Sequence, residues 1–145
     1  MMRVWGLAVV LFVVGGCAGG ALLARGDYAG GGAFVGGFLV MGVVNSPVVF
    51  PRSVTAAEAG RRSAEDGRPV VYWRPGCAYC LRLRGRLGWR ARRAYWVNIW
   101  RDPAGAAAVR EVNDGNETVP TVVVGGRAHT NPDPAWVRGQ LAGPA

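Results

Sequence analysis

The chain has 145 residues, and its 17 Arg side chains against 9 acidic ones give a formal net charge of +8. This length allows one compact domain with an additional segment. No nucleic-acid-binding motif accompanies the positive charge, so nucleic acid is not an expected partner. The 3 cysteines are too few for a disulfide framework. Two of them are separated by two residues, and this single pair is one pair short of a four-cysteine zinc site.

The first 50 residues are almost entirely apolar or Gly. Residues 4–24 and 29–50 contain no charged side chain, and each run reaches the length of about 20 residues that a helix needs to cross a bilayer. The sequence therefore predicts a hairpin of two transmembrane helices within residues 1–50. Arg residues flank the hairpin at both outer ends, which favours both ends in the cytoplasm. We accordingly expect a two-pass protein of the cell membrane whose remaining residues face the cytoplasm.

Glycines four residues apart recur in both apolar runs, a spacing that lets helices pack closely in lipid. We expect the pairs Gly16 with Gly20 and Gly32 with Gly36 at the contact between the two helices, with self-association as an alternative. A secretory signal peptide, or a lipoprotein signal ending at Cys17, is another interpretation of the first run. It would place the rest of the chain outside the cytoplasm, but the second apolar run would then follow the new N-terminus almost at once.

Residues 51–68 are expected to form a linker with a short helix, capped by Ser53 or Thr55 and ending near Gly67. From residue 69 to residue 145 a folded domain is predicted. The elements predicted in it are a strand at 70–73, a helix at 77–87, a strand at 95–100, a helix at 103–112, strands at 121–124 and 127–130, and a helix from 134 to about 141.

The order of these elements is β-α-β-α-β-β-α. The first two strands are joined through a helix and should be parallel. The last two are separated only by Gly125 and Gly126 and should form an antiparallel hairpin. This α/β order is that of the thioredoxin fold, here preceded by the two predicted transmembrane helices.

The motif C-A-Y-C at residues 77–80 falls between the first strand and the first helix. At a helix start, free backbone N–H groups and the helix dipole favour a thiolate at Cys77 over a thiol. The thiolate is the nucleophile of thiol–disulfide exchange. Cys80 lies one turn further and could attack a mixed disulfide formed at Cys77. Arg74 and Arg82 are expected to add positive potential nearby.

A second signal is the T-V-P sequence at residues 118–120, directly before the third strand. Proline is permitted at the head of a strand. In the thioredoxin fold the corresponding proline is cis and lies against the active-site sulfur, so Pro120 is expected to be cis. The backbone of Val119 could then pair with an incoming peptide, which would bind as an added strand.

Residues 70–141 resemble glutaredoxins, and most closely the mycoredoxins of actinobacteria, in the stretches 77–83, 113–122 and 130–132. The resemblance implies an enzyme in which Cys77 attacks the disulfide between a protein and mycothiol, a small thiol. Cys80 would be dispensable on that path and required for reducing protein disulfides. Besides these two catalytic cysteines, the candidate substrate-binding residues are Arg74, Tyr79, Val119, Pro120, Thr130 and Asn131.

The sequence departs from this family where many glutaredoxins place an acidic pair after the hairpin. Thr130, Asn131 and Pro132 stand there instead, which fits mycothiol better than glutathione. The expected partners are therefore protein disulfides or mycothiolated proteins, with no bound metal. Alternatives left open are an outward-facing thiol oxidant or isomerase, and a non-catalytic membrane protein that binds a partner or a metal cluster shared by two copies.

Overall fold

The computed structural model describes residues 2–44, 46 and 49–141. Two compact units divide between Val49 and Phe50. Residues 45, 47 and 48, at the end of the second predicted transmembrane run, and residues 142–145, at the end of the predicted domain, lie outside the described residues.

The first unit is an antiparallel pair of helices, α1 (Met2–Ala24) and α2 (Tyr28–Val44). A tight turn joins them, in which Gly26 has a φ of 83°. The side chain of Asp27 accepts a hydrogen bond from the N–H of Gly30 at 2.9 Å and so caps the start of α2. α2 ends at Val44, before the predicted end at residue 50, and there the N–H and the hydroxyl of Ser46 both donate to the carbonyl of Val43.

Within the described part of the chain, no helix combines the length and the apolar character needed to cross a membrane. The two transmembrane spans expected at residues 4–24 and 29–50 therefore remain predictions.

The glycines at the contact between α1 and α2 are not the ones expected. A Cβ added to Gly15 would collide with the side chain of Phe38, and one added to Gly19 would collide with Val35. A Cβ on any glycine of the two predicted pairs would meet nothing within 4 Å; these are Gly16, Gly20, Gly32 and Gly36. In α1 the contact glycines each lie one residue before the predicted ones, so the prediction was wrong. Successive residues of a helix are rotated by about 100°, and a shift of one residue therefore places the contact on a different face.

The second unit begins with α3 (Ala56–Asp66), the short helix expected before residue 67. The hydroxyl of Thr55 accepts a hydrogen bond from the N–H of Glu58 at 3.2 Å, and Gly67 ends the helix with a φ of 71°. The elements that follow are β1 (Val70–Trp73), α4 (Ala78–Leu87), a 3-10 helix (Gly88–Arg93), β2 (Tyr95–Asn98), α5 (Pro103–Glu111), β3 (Thr121–Val124), β4 (Arg127–Thr130) and α6 (Pro134–Gln140).

The four strands form one mixed sheet in the order β2-β1-β3-β4. β1 pairs with β2 in parallel, while β3 is antiparallel to both β1 and β4. This topology confirms the predicted thioredoxin fold. β2 ends earlier than predicted because the side-chain oxygen of Asn98 accepts a hydrogen bond from the N–H of Trp100 at 3.0 Å and turns the chain.

Every residue of the parallel strands β1 and β2 is buried, as expected for parallel strands covered on both faces. α5 and α6 begin as predicted, each with an aspartate cap followed by Pro. The carboxylate of Asp102 accepts from the N–H groups of Ala104 and Gly105 at the start of α5. These caps fix where each helix leaves the sheet.

Residues 50–55 belong to the sheet unit, although the sequence predicts the end of a transmembrane helix at Phe50 and only a linker from residue 51. The ring of Phe50 stacks on that of Trp73 with centroids 3.7 Å apart. The indole N–H of Trp73 donates to the hydroxyl of Ser53 at 3.1 Å. Ser53 also forms a parallel bridge with Trp96, and the N–H of Val54 donates to the carbonyl of Trp96 at 2.9 Å. This segment therefore covers the edge of β2, which would otherwise expose unpaired backbone groups.

Candidate active site

Cys77 follows the central strand β1 and caps the N-terminus of α4. The loop of residues 74–76 brings the chain there, with Gly76 at a φ of 75°, and Cys77 itself is extended at φ −87° and ψ 109°. In this conformation its Sγ accepts a hydrogen bond from the backbone N–H of Cys80 at 3.2 Å. A sulfur in this position receives the free N–H groups and the positive end of the helix dipole.

The surroundings of Cys77 favour its thiolate. The pKa of the thiol is lowered to about 6, first by the hydrogen bond from the Cys80 side chain and then by the backbone N–H of Cys80, the charge of Arg74 and the N–H of Tyr79, while burial opposes these effects. A thiol with such a pKa is mostly ionised at neutral pH and nucleophilic.

Cys80 has the opposite character. It is 0 % exposed, whereas Cys77 retains 9 % exposure. Its pKa is raised by its hydrogen bond to Cys77, by burial and by the negative charge of the Cys77 thiolate. The two sulfurs are therefore unequal, since Cys77 holds a thiolate that keeps some exposure to solvent and Cys80 holds a thiol that is fully buried. No disulfide joins them in this structure.

The peptide bond between Val119 and Pro120 is cis, which confirms the predicted conformation of Pro120. The carbonyl oxygen of Val119 lies 3.3 Å from Sγ of Cys77 and accepts a hydrogen bond from the thiol when it is protonated. The carbonyl of Pro120 in turn accepts from the N–H of Asn131 at 2.7 Å. These contacts bring the loop before β3 and the loop after β4 to the two cysteines.

A cleft of about 250 Å³ opens beside this cluster, and we call it the thiol cleft. Three of the predicted substrate-binding residues line it, namely Tyr79, Pro120 and Asn131. Tyr79 is 58 % exposed, so its ring is free to lie against a ligand. The thiol cleft therefore offers a place for a small group attached to the sulfur of Cys77.

The other predicted binding residues occupy different positions. Val119 is buried and presents its backbone beside Cys77. Arg74 acts through its charge on Cys77 and is not among the residues that line the thiol cleft. The hydroxyl of Thr130 donates to the side-chain oxygen of Asn113, so this group is occupied within the protein.

Several residues of the site were not predicted to bind substrate. The thiol cleft is also lined by Arg82, Leu83, Pro132, Asp133 and Pro134. Asn113 joins three elements. Its amide donates to the carbonyl of Val109 on α5 at 2.8 Å and to the hydroxyl of Thr121 on β3 at 3.2 Å, and its side-chain oxygen accepts from Thr130 on β4. The only local signal for Asn113 was its place in the N-D-G cluster that ends α5.

The described residues contain no group of three or more His, Cys, Asp or Glu side chains that could hold a metal ion. His129 lies on β4 with its ring 4.4 Å from that of Trp136, where it packs as an aromatic group.

Three features define the class of protein to which the second unit belongs. They are a nucleophilic cysteine at a helix start, a buried cysteine one turn later and a cis proline beside the nucleophilic sulfur. The unit is a thioredoxin-fold thiol–disulfide oxidoreductase.

Comparison with known proteins identifies the family within this class. The glutaredoxin family model matches residues 70–129. Two glutaredoxins from two strains of Mycobacterium tuberculosis are each 40% identical over 75 residues, which cover 50% of this chain and 87% of the relative. No solved structure matches the chain significantly. The chain belongs to the glutaredoxin family, whose members are thiol–disulfide oxidoreductases that use glutathione-like thiols as co-substrates.

Proposed function

We propose that this protein reduces mixed disulfides between proteins and mycothiol, and also disulfides within proteins, with Cys77 as the nucleophile. The observation that carries the proposal is the inequality of the two sulfurs. Cys77 retains 9 % exposure and has a pKa of about 6, while Cys80 is fully buried with a raised pKa. The less buried thiolate of Cys77 is therefore the group that meets a substrate first.

On the first path, the thiolate of Cys77 attacks the mycothiol sulfur of a mixed disulfide. A new S–S bond joins Cys77 to mycothiol, and the protein sulfur leaves as a thiolate that takes up a proton. The thiolate of a second mycothiol then attacks the mycothiol sulfur bound to Cys77. The products are a reduced protein, the disulfide of two mycothiols and the regenerated thiolate of Cys77.

On the second path, the substrate is a disulfide within a protein. Cys77 forms a mixed disulfide with one of its sulfurs, and the other sulfur leaves as a thiolate that takes up a proton. Cys80 then loses its proton and attacks Sγ of Cys77, which releases the sulfur that was bonded to Cys77. Loss of the Cys77 thiolate removes a cause of the raised pKa of Cys80, so the buried thiol becomes easier to ionise at this stage. The resulting disulfide between Cys77 and Cys80 is reduced by two small thiols.

The loop after β4 supports mycothiol over glutathione as the small thiol. An acidic pair there would suit the ammonium group of glutathione, but this chain has Thr130 and Asn131. The nearest acid is Asp133, whose Oδ1 accepts hydrogen bonds from the N–H groups of Ala135 and Trp136 as the cap of α6. The relatives come from an actinobacterium, the group in which the mycoredoxins occur.

We also propose that residues 2–44 hold the enzyme at the cell membrane with its thiol unit in the cytoplasm. Support comes from the two charge-free runs and from the Arg residues that flank them. Membrane fractions washed with sodium carbonate should retain the full chain, and a cysteine introduced at exposed Ala128 should resist an impermeant maleimide until the cells are opened. Labelling in intact cells would instead indicate an outward-facing oxidant or isomerase.

The central experiment uses the full chain in detergent micelles with a mycothiol mixed disulfide, and glutathione as the parallel thiol. We expect mycothiol-dependent turnover that is lost in Cys77→Ser and retained in Cys80→Ser. Faster turnover with glutathione would refute the choice of small thiol. Turnover with neither thiol, from folded protein with free cysteines, would contradict the enzyme and favour a partner-binding role.

A further inference from the structure

A second cleft, of about 240 Å³, runs between α4 and α6 beside the thiol cleft. Three arginines line it, Arg82 and Arg86 from α4 and Arg138 from α6, and we call it the arginine cleft. The remaining lining residues are Asp133, Pro134 and Ala135.

The arginine cleft has more positive than negative side chains. Within the described residues, none of its three arginines is ion-paired, whereas Arg61, Arg62, Arg68 and Arg110 each have a carboxylate partner. The one acid in the cleft, Asp133, already uses Oδ1 to cap α6. Arg82 and Arg86 also lie one turn apart on α4, and like charges at this spacing repel each other. An anionic ligand would remove this repulsion.

The arginine cleft continues from the thiol cleft, because Arg82, Asp133 and Pro134 line both. It does not include Tyr79 or Pro120, which line the thiol cleft only. A small thiol attached to Cys77 would therefore fill the first cleft and leave the second to a longer substrate. A polypeptide whose disulfide reaches Cys77 can extend directly into the arginine cleft.

We propose that the arginine cleft binds an acidic segment of the protein substrate, with carboxylates a few residues away from the target cysteine. Guanidinium groups match carboxylates through paired hydrogen bonds, so three unpartnered arginines favour such a ligand. Arg82 and Arg86 are about 6 Å apart along the helix axis, and alternate side chains of an extended peptide are about 7 Å apart. A Glu-x-Glu segment therefore has a suitable spacing. The inference rests on the proposed function, since it names the substrate of the same site.

The test uses peptides that carry a mycothiol mixed disulfide on one cysteine, with Glu-x-Glu or Gln-x-Gln on either side of it. The full chain in micelles should show a higher kcat/KM for the Glu peptide at low salt. Arg86→Gln and Arg138→Gln should each reduce this preference about 1.5- to fivefold, the range expected for an exposed ion pair. The matched control is Arg127→Gln, because Arg127 pairs with Val124 at the end of β3 far from Pro120.

Two additional measurements separate the possible failures. The first is turnover of a mixed disulfide between mycothiol and 2-mercaptoethanol, with mycothiol as the reductant and no peptide present, which Arg86→Gln and Arg138→Gln should leave unchanged. The second is binding of a fluorescent Glu peptide with Ser in place of its cysteine, which reports on the arginine cleft without any chemistry. Peptide binding that depends on Arg86 and Arg138, without turnover of any disulfide, would refute the proposed function but keep an acidic-ligand site.

Equal kcat/KM for the Glu and Gln peptides, or equal binding by wild type and both variants, would overturn the inference. A separate arm uses vesicles of phosphatidylglycerol and of phosphatidylcholine. If Arg86→Gln and Arg138→Gln weakened binding to the anionic vesicles while the peptides stayed indistinguishable, the cleft would be assigned to lipid headgroups instead.

Discussion

The backbone N–H of Cys80 points at Sγ of Cys77 and donates to it across 3.2 Å. The side chain of Cys80 also donates to the same sulfur and is the largest cause of the lowered pKa of Cys77. One residue therefore stabilises the thiolate in two ways and keeps its own sulfur buried behind it. The nucleophile and its activation are built from a single turn of α4.

The first prediction concerns the ionisation of Cys77. Its rate of alkylation by iodoacetamide should rise with pH around a midpoint of about 6. Cys80→Ala removes the side-chain donor and should move the midpoint upward, while Cys80→Ser retains a hydroxyl donor and should move it less. Mass spectrometry of the alkylated peptide measures both effects. An unchanged midpoint in Cys80→Ala would show that the backbone and Arg74 are sufficient.

The second prediction is that reduced protein becomes more stable between pH 6 and pH 9. The pKa of Cys77 is about 6 in the folded state and about 9 in the unfolded chain, so unfolding in this range takes up a proton. The free energy of unfolding should therefore rise with pH, reach its full gain above pH 9 and lose that gain as the pH falls through 6.

Urea denaturation at several pH values, in the presence of a reductant, measures this dependence. Cys77→Ser has no thiolate at this position and should show a flatter profile over the same range. Parallel profiles for wild type and Cys77→Ser would contradict the assigned ionisation.

The third prediction concerns residues 50–55, which pack on the sheet. Phe50→Ala removes a buried ring stacked on Trp73 and should reduce the free energy of unfolding by about 3–5 kcal/mol. Ser53→Ala leaves the indole N–H of Trp73 without its partner and should cost about 1–3 kcal/mol. Exposed Arg52→Ala is the neighbouring control and should change little. Equal stability of all three variants in urea denaturation would indicate that the segment is a free linker.

The fourth prediction distinguishes two glycine faces of α1. Gly15→Val and Gly19→Val place methyl groups against Phe38 and Val35 and should force α1 and α2 apart. Gly16→Val and Gly20→Val enter open space and should leave the helix pair intact. Disulfide trapping between cysteines introduced at Phe12 and Gly42, which face each other, reports on the pair. Greater loss of trapping in the Gly16 and Gly20 variants would reverse the assignment.

The sequence was informative wherever a short local signal determines the structure. The Asp-Pro pairs at residues 102 and 133 marked helix starts, Gly125 and Gly126 marked the hairpin, and the C-A-Y-C motif fell at a strand–helix junction. Each signal acts through the backbone conformation of two to four residues, so the element order and the sheet topology followed from it. The cis conformation of Pro120 was predicted differently, from the proline that the thioredoxin fold places at the head of this strand.

The features that were missed depend on contacts between residues far apart in the chain. No local sequence signal predicts the hydrogen bond between Trp73 and Ser53, or the hydrogen bond that the hydroxyl of Thr130 donates to Asn113. The contact face of α1 differs by one residue from the predicted one, because a glycine-rich helix offers several faces with similar spacing. The arginine cleft likewise forms only when α6 packs beside α4.

The most direct test of the account is to capture the covalent intermediate. The Cys80→Ser protein should be mixed with a mycothiol-modified peptide, quenched with acid and digested, and the peptides analysed by mass spectrometry. The account predicts mycothiol attached to Cys77, formed at the rate at which the peptide is released. Mycothiol on Cys17, or released peptide with Cys77 unmodified, would show that Cys77 is not the nucleophile.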